Sequence, residues 1–195
     1  MRRSALALLL AAAPAAAQDR PQLIPTRDVS VTYRITHPNI PAGGPQTLTM
    51  SWLAASGLLR TDIPGLGYAI ADQRAGSGFM VMEAARMIVD IPASQAMQIG
   101  AIPANATFRR EGTATVAGLS CITWSYQDQQ TQGRSCITSE GVLLRGEGTH
   151  GGQSGSMEAT AVTFAPQDRA RFHRPQGYQA MPGPPGAAPA RPQAK

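Results

Sequence analysis

The chain has 195 residues, 43% of them hydrophobic, with 17 Lys and Arg against 12 Asp and Glu and a formal charge of +5. This length suits one domain with a real core. Residues 1–17 read as a removable export segment that carries two of the arginines, so the charge overstates the basicity of the working protein and argues against a nucleic-acid binder. Lys195 is the one lysine, and the Arg-for-Lys usage fits a GC-rich coding bias. Only Arg109-Arg110 and Arg169/Arg171/Arg174 approach a clustered phosphate-binding surface.

Met1-Arg2-Arg3 is a short basic start, and Ser4–Ala13 is an apolar run too short to span a bilayer. Ala15-Ala16-Ala17 supplies the small residues of a signal-peptidase site, so the mature chain is expected to begin at Gln18 in the periplasm of a Gram-negative bacterium, with no transmembrane segment. Residues 18–27 are a polar leader. From Asp28 the pattern alternates, with Val29, Val31, Tyr33 and Ile35 on one side of a strand. His37–Pro45 is a Pro/Gly loop. Leu48, Met50 and Trp52 resume the alternation, and short extended runs follow at Leu58–Ile63, Tyr68–Asp72, Phe79–Glu83 and Met87–Ile91. Strands at this spacing predict an antiparallel meander.

Pro92 ends that series, and Ala93–Ile99 is expected to form a short helix capped by Ser94. Four more strands are expected at Phe108–Val116, Ser120–Gln127, Ser135–Thr138 and Val142–Arg145. The glycine-rich stretch Glu147–Ser156 reads as a mobile turn, and Met157–Phe164 as the final strand. Pro166–Phe172 has a helical start, with Pro at the first position and Asp168 in the first turn. Pro182–Lys195 lacks any apolar period and reads as a disordered tail. The expected layout is therefore a signal peptide (1–17), a leader (18–27), one domain (28–181) and a tail (182–195).

Cys121 and Cys136 are the only cysteines, and in an oxidising compartment they are expected to pair. Such a bond stabilises the fold by roughly 3 kcal/mol in the chain-entropy model. Setting the two cysteines opposite each other predicts that Ile122 faces Ser135, Trp124 faces Gly133 and Tyr126 faces Thr131, with Gln127–Gln130 as the hairpin loop. Ile122, Trp124, Tyr126 and Ile137 then share one side, and the cysteines share the other with Thr123 and Ser125.

No catalytic pattern emerges. Gly152-Gln153-Ser154-Gly155-Ser156 lacks the nucleophile-elbow spacing, and His37, His150 and His173 lie in loop, turn and terminal contexts. Asp62, Asp72, Glu83 and Asp90 recur near strand ends, where charges meet solvent. No metal-ligand spacing is present. Met80, Met82 and Met87 are the one cluster that suggests Cu(I), but Met80 and Met82, two residues apart on a strand, fill one side as pliable apolar groups. The remaining signal is aromatic and thioether content: Trp52, Met50, Met80, Met82, Trp124 and Tyr126 form a candidate apolar ligand pocket on the inner side of a curled sheet.

Four segments carry a family resemblance: Leu59-Arg60-Thr61-Asp62 with Tyr68–Gln73; Phe79–Met82 with Met87–Pro92; Gly112–Cys121 with Trp124 and the return strand at Cys136; and Phe172–Tyr178. They resemble a family of exported bacterial proteins similar to the lipoprotein-carrier superfamily, which includes LolA, LolB and LppX. The resemblance implies a mainly β domain: a strongly curved antiparallel sheet, a half-barrel of about ten strands, with one or two short helices on the concave side. It also implies an apolar cavity without catalytic residues or cofactors. The expected function is a non-catalytic periplasmic binding protein for an apolar or lipid-like ligand. The alternative is a structural or protein-interaction domain of the cell envelope with a filled core, acting through a protein partner.

Overall fold

The computed structural model describes residues 20–36, 46–92, 102 and 105–181. The chain forms β1 (Val29–Thr36), β2 (Thr47–Leu53), β3 (Leu58–Ile63), β4 (Gly67–Asp72), β5 (Ser77–Met82) and β6 (Met87–Pro92). Then come β7 (Thr107–Val116), β8 (Leu119–Gln127), β9 (Thr131–Ile137), β10 (Leu143–His150), β11 (Gln153–Thr163) and β12 (Gln179–Met181). All twelve belong to one open sheet, in the order β12-β6-β5-β4-β3-β2-β1-β11-β10-β9-β8-β7. Every pairing is antiparallel except β12 with β6. The sheet is thus two meanders, β1–β6 and β7–β11, joined where β1 pairs with β11.

Local chemistry sets the hairpins. Ala117 and Gly118 both have positive φ (48° and 78°) in a two-residue turn closed by Val116 opposite Leu119. Gly151 and Gly152 repeat this geometry (56° and 82°) between His150 and Gln153. Two successive left-handed residues match the twist of antiparallel strands. The Asp72 carboxylate accepts from the N–H groups of Arg74 and Ala75, and that of Asp128 from Gln130 and Thr131, closing two further turns.

The expected mobile turn at Glu147–Ser156 is corrected. Glu147–His150 end β10 and Gln153–Ser156 begin β11, leaving only Gly151-Gly152 as the turn. The other glycines of this stretch sit inside strands. β9 likewise begins at Thr131, four residues before the expected Ser135. The cross-strand register at the disulfide is corrected by two residues: Ile122 faces Ile137, Trp124 faces Ser135 and Tyr126 faces Gly133. Cys121 and Cys136 are bonded diagonally, with Thr123 opposite Cys136 and the Cα atoms 5.4 Å apart, inside the range for disulfides. A shift of two preserves the side chains' faces, so the aromatic and cysteine sides stand as expected.

Curvature is concentrated in the second meander. Three strands separate β7 from β11 in the sheet, yet their Cα atoms approach within 8 Å. A flat sheet would hold them roughly 19 Å apart at the usual strand spacing. Bulges between Arg110 and Gly112, between Leu143 and Arg145, and opposite Thr32/Tyr33 add the required bend.

Two apolar clusters result. The larger runs from Val29, Val31, Tyr33, Leu48 and Met50 through Leu59, Ala69 and Ala71 in one direction, and through Ala159, Met157 and Leu144 to Cys136, Cys121 and Val116 in the other. The smaller lies on the other side of β2–β6 and contains Leu53, Leu58, Tyr68, Ile70, Phe79, Val81 and Ile88. Phe172 seals it, only 1% exposed. The expected helix at Pro166–Phe172 is a shorter 3-10 helix, Arg169–Phe172, with Asp168 as its cap accepting from the Ala170 N–H. Phe172 at its end packs into this smaller cluster, on the side of the sheet away from Met50. Arg60 holds the 3-10 helix by donating to the Arg171 carbonyl, and it also stacks on Tyr68 at 3.6 Å. Asp62 bridges Arg60 and Arg171, while Arg174 pairs with Asp90 and lies over Phe79. The chain then adds β12 beside β6, a strand the sequence reading omitted, giving twelve strands in place of about ten. The Asp28 carboxylate ties three segments, accepting from the N–H groups of Ala54 and Gln167. The leader packs on the turn after β9, with Thr26 N–H donating to the Glu140 carbonyl and Arg27 pairing with Glu140. The export segment, the helix expected at Ala93–Ile99 and the tail lie outside the described residues.

Tyr33 is fully buried, and its hydroxyl donates to the Leu143 carbonyl at 2.6 Å. Burial pushes its pKa far up. In the unfolded chain the phenol ionises near pH 10, while in the folded protein it stays protonated, so its contribution to stability is complete below pH 10 and is lost as pH rises beyond it. Tyr33→Phe should cost about 1–2 kcal/mol at pH 8, through the lost hydrogen bond. Urea unfolding at pH 8 and pH 11 should show the gap between the two proteins narrowing at the higher pH.

Candidate functional site

Strand pairing places all six expected pocket residues on one side of the sheet. Trp52 faces Val29 and Leu59; Met50 faces Val31 and Thr61. The same rows continue through Ala71 and Gly78 to Ile91, and through Ala69 and Met80 to Val89. Met82 pairs with Met87 one row further on. At the other end, Met157 leads through Gly146 and Ser135 to Trp124, and Gly155 through Gly148 and Gly133 to Tyr126.

The six do not form one packed group. Met50 is buried in the larger cluster, and Trp52 and Met80 pack against it while half-buried. Met82, Met87, Val89 and Ile91 are also half-buried, which makes a band of pliable apolar side chains on β5 and β6. Trp124 is buried, 3% exposed, and belongs to an aromatic patch with Phe108 edge-on at 6.4 Å; Tyr126 lies tilted 6.3 Å from Phe108. Arg20 approaches the open side of Phe108 at 5.4 Å.

Tyr126 explains the strand glycines. A Cβ on Gly133 would stand 2.2 Å from the Glu147 carbonyl oxygen and 2.6 Å from the Tyr126 hydroxyl; one on Gly148 would stand 2.8 Å from the same hydroxyl. The phenol ring therefore lies across the glycines of β9 and β10. Burial raises its pKa, with a further push from Glu147. Sequence reasoning set Gly133 opposite Trp124 but took Gly148 for a turn residue, because a bare count cannot tell chain reversal from a seat for a ring.

Two polar groups on this side were missed. Thr61 Oγ1, between Met50 and Ala69, and Ser135 Oγ, between Trp124 and Gly146, are buried without a hydrogen-bond partner. A desolvated hydroxyl of this kind costs stability unless something supplies a partner. Alternation alone marked both as ordinary inward positions.

A groove of about 1060 Å³ opens at the far end, around the start of β7 and the β8–β9 turn. Its lining includes Asn105, Phe108, Arg109, Tyr126, Gln129 and Arg134. Three of the four carboxylates flagged at strand ends have structural partners: Asp62 and Asp90 hold arginines of the C-terminal segment, and Asp72 closes a turn. Among the described residues no group of His, Cys, Asp and Glu side chains could hold a metal ion, and no helix is long and apolar enough to cross a membrane.

Neither a protein-family model nor a curated protein matches the chain. Solved structures do. An uncharacterised conserved protein from Thermus thermophilus is similar with a TM-score of 0.55 and 11% identity, over 80% of this chain and 91% of that one, so the two share a fold. A chain of the MucA/MucB complex of Pseudomonas aeruginosa gives a TM-score of 0.49 and 13% identity, over 79% of this chain and 58% of that one. A candidate outer membrane lipoprotein-sorting protein domain from Vibrio parahaemolyticus gives 0.32 and 12%, over 75% and 89%.

The seating of Tyr126 makes Gly133 hard to replace. Gly133→Ala should destabilise the protein by about 3 kcal/mol or more, since the nearest obstacle is backbone. Gly112→Ala, with nothing within 4 Å of its Cβ position, should stay within about 0.5 kcal/mol of wild type. Chemical denaturation of both variants checks the contrast.

Proposed function

We propose that this is an exported, non-catalytic binding protein of the bacterial envelope whose ligand is apolar or lipid-like. The observation that carries the reading is the half-buried band of Trp52, Met80, Met82, Met87, Val89 and Ile91, which extends the filled core to the β6 end of the sheet. Methionine side chains repack around irregular apolar shapes at low cost. The unpartnered Thr61 hydroxyl next to Met50 offers a donor to an ester or carboxyl oxygen of an amphipathic ligand. The bond between Cys121 and Cys136 suits an oxidising compartment. Trp124 and Tyr126 support the sheet rather than line this contact, because they are already packed against Phe108, Gly133 and Gly148.

Tryptophan emission distinguishes the two regions. Titration with lysophosphatidylcholine or dodecanoate should shift the emission of the wild type to the blue. Trp52→Phe should lose that shift, and Trp124→Phe should keep it. Met80→Ser should weaken binding about tenfold, the equivalent of about 1.4 kcal/mol of lost apolar contact. Absence of any emission response, together with lipid-free protein in native mass spectrometry after purification from the periplasm, would remove the reading.

A further inference from the structure

The other end of the sheet carries a second surface. Among the described residues β7 closes the strand order and is paired only with β8; where its Cα atoms come within 8 Å of β11 no ladder joins the two. Such an edge is a template for any extended chain that can meet its side chains. Residues Arg109 to Thr113 are exposed, and Thr107 with them.

The side chains say which chain fits. On one side of the sheet, Arg109, Ser125 and Arg134 form a row across β7, β8 and β9. Their guanidinium groups hold Glu111 between them, at 2.9 Å and 3.1 Å. The carboxylate side chain is only 16% exposed, whereas those of Arg109 and Arg134 are 76% and 62% exposed. The row therefore presents cationic groups outward and keeps its anion inside; Glu147 lies one strand further from the edge. Asp128, beside the groove, closes its turn by accepting from the N–H groups of Gln130 and Thr131. On the other side of the sheet the edge presents Phe108, half-buried against Trp124 and Tyr126 with Arg20 5.4 Å from its ring, and beyond it the exposed Arg110 opposite Trp124. A strand added here would lay alternate side chains beside Arg109 and beside Phe108.

We propose that β7 is a docking edge for an extended segment of a partner protein in which acidic and apolar residues alternate. The segment adds to the sheet as a further strand, with its acidic side chains on the Arg109–Arg134 row, its apolar ones along Phe108, and its end in the groove between Asn105 and Gln129. The bulge at Glu111 and the charges beside it discourage indiscriminate pairing. The same charges select for an acidic strand. This surface is separate from the apolar band and does not depend on it.

The test uses the full mature protein and a ten-residue synthetic peptide alternating valine and glutamate. It should bind at low salt, weaken steeply as salt rises, and protect the amides of 107–113 from hydrogen exchange. The lysine counterpart should bind at least tenfold more weakly, and so should the glutamate peptide with alternate backbone nitrogens methylated, which alters nothing in the protein. The double variant Arg109→Glu, Arg134→Glu should reverse the preference between the two charged peptides. Equal binding of both charged peptides, binding without protection of β7, or no binding would each overturn the proposal. So would β7 protection in the protein alone that grows with concentration, since the occupant would then be a second copy.

Discussion

The antiparallel ladder between β1 and β11 makes one sheet out of two meanders, and the rest of the architecture depends on it. Every other antiparallel pairing joins strands adjacent in the chain, where loop closure is cheap. β1 and β11 lie near opposite ends of the sequence, so their ladder bears most of the cost of long-range closure. The side chains at the seam are suited to that task. Val29, Val31 and Tyr33 are fully buried, and Tyr33 reaches across to the Leu143 carbonyl on β10. The extra residue in β11 opposite Thr32/Tyr33 bends the ladder where the second meander begins to coil.

Once the seam is fixed, each side of the first meander needs its own cover. The side carrying Val31 and Met50 packs into the core shared with the second meander. The side carrying Tyr68, Ile70 and Phe79 would otherwise face water, and the C-terminal segment covers it with Phe172 and the arginine pairs at Asp62 and Asp90. This explains an otherwise odd feature of the composition. Of the arginines of 169–174, which suggested a phosphate surface, Arg171 pairs with Asp62 of β3, and Arg174 pairs with Asp90 of β6 while lying over Phe79. Guanidinium groups can do both because they stack on rings while donating in plane.

Alternation made the strands of the first meander legible almost to the residue, since one side of each is buried and a slip would expose it. The second meander was harder for three physical reasons. Gly133, Gly146 and Gly148 interrupt the alternation because the space their side chains would fill holds Tyr126, or lies against Leu143 and Met157. The disulfide fixed the side of Cys121 and Cys136 but not their register, because direct and diagonal bridges leave the same faces. β12 is three exposed residues paired in parallel, and no buried residue marks it. For the site, periodicity gave inward positions to Met50, Trp52, Met80, Met82, Trp124 and Tyr126. It could not show that the filled seam separates them, nor that Thr61 and Ser135 bury hydroxyls among them.

That separation bears on how two surfaces could act in one molecule. The apolar band lies at the β6 end, and the cationic edge at β7 is the opposite boundary of the same sheet. Between them stands the close-packed region around Tyr33, Leu48 and Met157, whose members are at most 5% exposed. A packed interior transmits a shift only if it has a second arrangement of similar energy. No such pair of states is evident at the seam, where the Tyr33 hydrogen bond and the bulge hold a single register. Occupation of one end should therefore leave affinity at the other unchanged, and the sheet acts as a rigid frame carrying two independent contacts rather than as a switch between them.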